Sequence, residues 1–209
     1  MGVFITFEGV EGSGKSTQVK LLKEYLDQRG TPNIVIREPG GTIIGEKIRD
    51  ILLDRKNENM CLETELLLYA ASRAQLVKEV IEPELRKGKV VICDRYIDSS
   101  IVYQGYPSFK DKVLQINQLA TNYLLPTRTY LLDIPVELSY TRLKMRGIPK
   151  DRIENKGKAY HHRVREAYLD WGAHNPSRFM IIDASKPIEE VAEEIQIDFK
   201  SFSKLPCLS

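Results

Sequence analysis

The sequence predicts an α/β domain in which a parallel sheet of about five strands lies between two layers of helices, a three-layer α/β/α arrangement. Apolar runs at residues 3–7, 33–36, 90–93, 130–134 and 179–182 each have the length of a buried strand, and material of helical period or length separates each run from the next. Right-handed crossovers between such units give a parallel sheet whose ligand crevice lies beyond the carboxyl ends of the strands. A glycine-rich stretch between the first run and the first helix supplies the third observation.

That stretch, Gly9-Val10-Glu11-Gly12-Ser13-Gly14-Lys15-Ser16, fits G-x-x-x-x-G-K-[ST] and follows the first apolar run directly. After it, Val19, Leu21, Leu22, Tyr25 and Leu26 recur at helical spacing until Gly30. Strand, loop and helix in this order make a phosphate-binding loop, whereas a chance glycine turn would not need both flanks. Glycines at 9, 12 and 14 allow conformations closed to other residues, so that successive N–H groups point at phosphate oxygens, and the helix beginning near Lys15 adds the positive end of its dipole. Gly9 through Ser16, with Thr17, are therefore the candidate nucleotide-binding residues. Lys15 reaches the β- and γ-phosphates, and the Ser16 hydroxyl is one ligand of a Mg²⁺ that keeps most of its waters. The fold class is that of a P-loop NTPase using a nucleoside triphosphate with magnesium.

Further helices follow. Residues 63–82 read as one long helix rich in Leu, Ala and Val, with Pro83 kinking its end; Pro135 suits the first turn of a helix toward Arg146, and Pro187 the start of the last, where Glu189 and Glu190 complement the dipole. The chain of 209 residues suits one domain, 1–209, without repeat, low-complexity block or linker, and residues 201–209 are expected to fray. Cys61, Cys93 and Cys207 lie far apart with no C-x-x-C pair, a pattern that indicates neither a zinc site nor a disulfide framework and fits a reducing cytoplasm; Cys93 reads as a small core residue. No window approaches the ~20 apolar residues of a membrane span, and the start of the chain has no secretory pattern. Net charge is +2, yet residues 142–165 hold nine Lys/Arg against two acids.

Several polar groups are not explained by the fold alone. Asp94 and Arg95 follow a buried strand and emerge at the crevice opposite the loop, where the planar fork of Arg95 can bridge donor and acceptor phosphates or form a structural ion pair. Arg37-Glu38-Pro39-Gly40-Gly41-Thr42 follows the second strand, with Arg49 on the helix after it. Tyr69 and Arg73, one turn apart, can offer a ring and a hydrogen-bonding fork to a flat base, or can be a core-edge Tyr and a solvated Arg. The basic stretch from Arg142 to Arg152 is interrupted by Gly147 and Pro149 and resumes as a helix near Lys158, the pattern of a hinged lid over about 143–157. Aromatics are not interleaved with its charges as a single-strand nucleic-acid binder requires.

Together these segments resemble the bacterial thymidylate kinase family over nearly the whole chain. The resemblance rests on the P-loop, Arg37-Glu38-Pro39-Gly40-Gly41-Thr42, Tyr69-Ala70-Ala71-Ser72-Arg73, residues 94–105, Asp151-Arg152-Ile153-Glu154 and the helix ending Tyr168-Leu169. It implies ATP- and Mg²⁺-dependent phosphorylation of dTMP to dTDP, in the supply of dTTP. By position it implies that Tyr69 stacks on thymine where most members have Phe, and that Arg73, Ser100 and Gln104 hydrogen-bond the base. Tyr103 lies under the sugar and disfavours a 2′-hydroxyl; Arg49, Arg95 and Arg37, in the segment with Glu38, hold the acceptor phosphate. Glu11 is the acid that the family places inside the P-loop, and Ser16 and Asp94 are the expected metal ligands. Because the loop contains no arginine beside Glu11, the lid is expected to supply the catalytic cation, Arg152 first and Arg146 second, alongside Lys15 and Arg95. The resemblance also implies a cytoplasmic homodimer acting on ATP and dTMP, with no nucleic-acid or membrane partner.

Such chemistry needs no strong general base, since the attacking phosphate oxygen is already ionised, and positioning with charge neutralisation carries it. The alternatives are a UMP/CMP kinase on the same scaffold, a regulatory P-loop ATPase, and a nucleic-acid module in the basic segment.

Overall fold

The computed structural model describes residues 2–147 and 151–203; Ile148, Pro149 and Lys150 of the basic stretch, and Cys207 in the tail, lie outside the described residues. A central sheet of parallel strands has the order β2-β3-β1-β4-β5, formed by β1 (Val3–Glu8), β2 (Asn33–Arg37), β3 (Val90–Asp94), β4 (Arg128–Asp133) and β5 (Phe179–Asp183). Every predicted run is a strand to within a residue or two, because strands covered on both faces must be apolar almost throughout.

Alternate side chains of β1 serve different clusters. Ile5 and Phe7 join Leu22 and Leu26 of α1 (Lys15–Gln28) and Phe199 of α9 (Ile188–Ser203), while Phe4 joins Val91, Cys93, Leu76, Val77 and Ile81. Leu26 is completely buried, and truncating such a leucine to Ala costs roughly 2–5 kcal/mol. Cys93 is a buried thiol that burial pushes well above its ordinary pKa, as a core residue requires.

The intervening helices are α2 (Ile43–Leu53), α3 (Leu62–Leu76), α4 (Glu82–Arg86), α5 (Ile97–Ser100), α6 (Lys110–Thr121), α7 (Val136–Met145) and α8 (Lys158–Ala173). The expected long helix runs on to Arg86 and is not ended by Pro83: a wide π-type turn over Val77–Ile81 lies between α3 and α4, just before the residue that lacks an N–H for the ladder. A second wide turn, Ile101–Gly105, extends α5 and carries Tyr103 and Gln104.

Strand register sets the position of the site. Phe7 pairs with Asp94 and Asp94 with Arg37, so the segments leaving β1, β3 and β2 emerge side by side at the carboxyl edge. No helix among the described residues is long and apolar enough to cross a membrane.

Candidate active site

The phosphate loop joins β1 to α1 with Gly9, Gly12 and Gly14 at φ of 136°, 74° and 96°. A Cβ at Gly9 would stand 2.5 Å from the Leu132 carbonyl oxygen and one at Gly12 2.9 Å from that of Ser139, so both positions require glycine for space as well as for conformation. Val10 is buried in the core and anchors the loop. No side chain caps α1, whose first N–H groups are thereby left for an anion. Lys15, 7% exposed, donates to the Gly9 and Val10 carbonyls at 2.9 and 2.8 Å and to the Ser13 hydroxyl at 3.4 Å. Burial first and Arg95 second press its ammonium down to about 8. The Ser16 hydroxyl donates to Asp94 at 2.9 Å, which sets two hard oxygens side by side at the start of α1. That donor set fits Mg²⁺, which takes few protein ligands and fills its octahedron with water and phosphate oxygens.

A cleft of about 510 Å³ opens from this loop. Glu11, Lys15, Ser16 and Thr17 line it, together with Asp94, Arg95, Arg37 and Arg49. Glu38, Tyr69, Arg73, Ser100, Tyr103 and Gln104 also line it, so the predicted substrate residues face one space.

Arg95 adopts φ 72°, a left-handed conformation that costs a non-glycine residue roughly 1–3 kcal/mol. Its backbone N–H donates to Phe7 at 3.0 Å, and its side chain donates to Glu11 at 2.9 Å, Ser99 at 3.1 Å and Tyr168 at 3.2 Å. The guanidinium lies 5.2 Å from the centre of the Tyr103 ring, whose hydroxyl donates to Glu11 at 2.7 Å. Burial would raise the Glu11 pKa, but Arg95, His161, Lys15 and Tyr103 hold it well below the usual carboxylate range.

Beneath Arg95 lies Glu8, fully buried, accepting from the Tyr96 amide at 2.8 Å, the Ser99 hydroxyl at 2.6 Å and the Tyr168 hydroxyl at 2.8 Å. Burial, with a smaller push from Asp98, raises its pKa to about 7. Asp98 is itself occupied by Arg178 at 2.6 Å and by the Trp171 ring N–H at 2.7 Å.

The predicted arginines take different positions. Arg37 donates to Pro39 and Glu46, and Arg49 to Pro39, all at the cleft mouth. Arg73 is 1% exposed rather than solvated, and each of its N–H groups has a protein partner: Glu38, Ser100, Asn117 or the Tyr96 carbonyl. It therefore meets the cleft with its fork turned into the protein. Arg146 lines the cleft, both oxygens of Glu154 accepting from it at 2.8 and 2.7 Å. Arg152 is not among the lining residues; it is buried, paired with Glu65 at 2.5 Å and donating to the Leu52 carbonyl at 2.8 Å.

Sequence reasoning missed Glu8, Glu65 and His161. Glu8 is an acid that closes a buried strand, and Glu65 lies one turn before Tyr69. His161, 2% exposed and 3.4 Å from Glu11, lies three and seven residues before the buried Val164 and Tyr168 on α8, a helical spacing that marks the inward face.

A parallel sheet with a P-loop facing a cleft walled by arginines defines a phosphotransferase of the P-loop class. The family model described as thymidylate kinase matches residues 7–195. Similar proteins include the thymidylate kinase of Symbiobacterium thermophilum, 50% identical over 94% of this chain and 92% of its own length, and that of Geotalea uraniireducens, 47% identical over 93% and 95%. The thymidylate kinase of Bifidobacterium longum subsp. infantis is 45% identical over 96% and 87%. The chain belongs to the thymidylate kinase family.

Proposed function

We propose that the chain transfers the γ-phosphoryl group of ATP to dTMP, giving ADP and dTDP, with each site residue in the role that follows. The observation that carries this reading is that one cleft is lined both by the P-loop and by Tyr69, Ser100 and Gln104, with Arg95 in the same wall. One space of this kind can hold a polyphosphate and a planar base with a phosphate directed back toward the loop.

At the donor end the loop N–H groups and Lys15 bind the phosphates, drawing the ammonium off the Gly9 and Val10 carbonyls. Ser16 and Asp94 hold Mg²⁺, which supplies charge neutralisation on the phosphate oxygens. Arg95, held by Glu11, Ser99 and Tyr168, faces the acceptor phosphate together with Arg37 and Arg49. Tyr69 stacks on the base. Tyr103, its hydroxyl tied to Glu11, fills the space a ribose 2′-hydroxyl would need. Ser100 and Gln104 contact the base edge, with Arg73 behind Ser100.

Residues 143–157 serve as a lid. Arg146, already on the cleft, is the better-placed lid cation for the transferring group, and Arg152 ties the lid to α3. The protein works as a cytoplasmic homodimer; exposed Leu67 on α3 and Leu119 on the adjacent α6 support a subunit contact there. Incubating the protein with ATP, Mg²⁺ and dTMP tests the reaction: dTDP and ADP in equal amounts support it, and ADP without dTDP overturns it.

A further inference from the structure

We propose that Glu65 sets the polarity of the base-reading pair, making the cleft selective for pyrimidines that carry an imide N–H. This rests on the assignment of Ser100 and Gln104 to the base edge.

Glu65 is 4% exposed, and its two oxygens have different partners: Oε1 accepts from Gln104 Nε2 at 2.7 Å, and Oε2 pairs with Arg152 at 2.5 Å. A carboxylate only accepts hydrogen bonds, so the atom of Gln104 that faces Glu65 must be the amide nitrogen. The amide has two edges. With the donor edge committed to Glu65, Gln104 presents its carbonyl oxygen, an acceptor, to the cleft that it lines. Ser100 can take the complementary part: its oxygen accepts from Arg73 at 3.0 Å, and its hydroxyl proton is there to be donated.

The cleft therefore presents a hydroxyl that can donate and an acceptor held in place by Glu65, in that order. A thymine or uracil edge, with a 4-carbonyl oxygen and an N3–H, is the complement of that order. Cytosine has a lone pair where thymine has its N3–H, and it meets the Gln104 carbonyl oxygen acceptor to acceptor. Such mispairing is costly, because a buried polar group is left without a partner on each side. Glu65 need not touch the base to do this: anchored by Arg152, it fixes the amide of Gln104. Glu65 is thus a positioning residue for specificity.

The test is Glu65→Gln, a replacement of the same shape whose amide both donates and accepts, so that Gln104 can turn over. The kcat/KM values for dTMP, dUMP and dCMP are compared in the wild type and the variant. The expected result is a fall of about tenfold or more in the dTMP to dCMP ratio, with the dTMP to dUMP ratio unchanged, since both of those bases carry the N3–H. A merely structural role would lower all three values together and leave both ratios in place, and that result overturns the proposal. Because Glu65→Gln leaves Arg152 buried without its anion, Glu65→Gln combined with Arg152→Met carries the same comparison should the single variant not fold. A wild-type protein that uses dTMP and dCMP equally well contradicts the base-site assignment itself and this proposal with it; a wild-type preference that the variants retain contradicts this proposal alone.

Discussion

Arg95 donates to Glu11 at 2.9 Å, joining the residue that follows β3 to the middle of the phosphate loop. The pair holds a cation in the wall of the cleft while the backbone of Arg95 sits in a left-handed conformation. An arginine so constrained by Glu11, Ser99, Tyr168 and the Phe7 carbonyl keeps one geometry before substrate arrives, which is the preorganisation that phosphoryl transfer requires.

Glu11→Gln removes the anion and leaves the shape. Because Glu11 is held well below the usual carboxylate range by Arg95, His161, Lys15 and Tyr103 against the cost of burial, the wild-type residue is charged wherever the fold survives. Misplacing the guanidinium by an ångström costs roughly 10²-fold, so kcat is expected to fall by about that factor with little change in ATP affinity. Steady-state kinetics with direct nucleotide titration checks this; an unchanged kcat refutes the positioning role.

Lys15 predicts a pH effect with a definite sign. In the nucleotide-free protein its ammonium is pressed to about 8, so it is charged below that pH and neutral above. The kcat/KM for ATP reports the free protein and is expected to decline above about pH 8, whereas kcat at saturating ATP declines later, because bound phosphates favour the ammonium. A kcat/KM for ATP that stays flat well above pH 8 contradicts the arrangement around Lys15.

Glu8 makes a prediction about stability. Its pKa is raised from 4.5 to about 7 in the fold, chiefly by burial. Below pH 4.5 both folded and unfolded chains carry the proton, and this group's contribution is fully present. Between 4.5 and about 7 the folded chain keeps a proton that the unfolded chain has lost, so the contribution declines as pH rises and is gone above about 7. Glu8→Gln can accept from the Tyr96 amide and donate to the Ser99 and Tyr168 hydroxyls without titrating. Denaturant midpoints measured across this range should show the variant gaining on the wild type as pH rises; a constant difference refutes the raised pKa.

Which features the sequence revealed follows from how local their causes are. The five strands, the P-loop and the start of α1 were legible because each depends on neighbours in the chain: an unbroken apolar run, glycines at fixed offsets, a helical period. The wide turn before Pro83 was not, since a missing N–H announces a defect without saying whether the helix ends or adjusts. Arg73 read as either base-facing or solvated, and its burial is decided by Glu38, Ser100 and Asn117, which arrive from other elements. The same holds for Arg152, whose partner Glu65 lies on α3 and leaves no mark in the basic stretch itself. Glu65 and His161 did leave a signal, a polar residue at helical spacing from Tyr69 in one case and from Val164 and Tyr168 in the other.

Arg146 and Arg152 should separate kinetically. Arg146 lines the cleft and is 40% exposed in its side chain, whereas Arg152 is spent on Glu65 and Leu52. Arg146→Ala is expected to lower kcat by about 10³-fold with the KM for dTMP nearly unchanged, since an arginine acting on the transferring group works mainly in the transition state. Arg152→Ala is expected to leave kcat within about tenfold. The reverse ranking, read from kcat at saturating substrates, assigns the transferring group to Arg152 instead.

The most direct test of the central claim is acceptor-dependent ADP formation, with ATP and Mg²⁺ fixed and dTMP, dUMP, UMP, CMP, AMP and GMP offered in turn. The arrangement of Tyr69, Ser100, Tyr103 and Gln104 in one cleft predicts the highest kcat/KM with dTMP and a steep loss from dUMP to UMP, which adds the 2′-hydroxyl. Faster turnover of CMP or a purine monophosphate, or ADP formation that no acceptor stimulates, would contradict it.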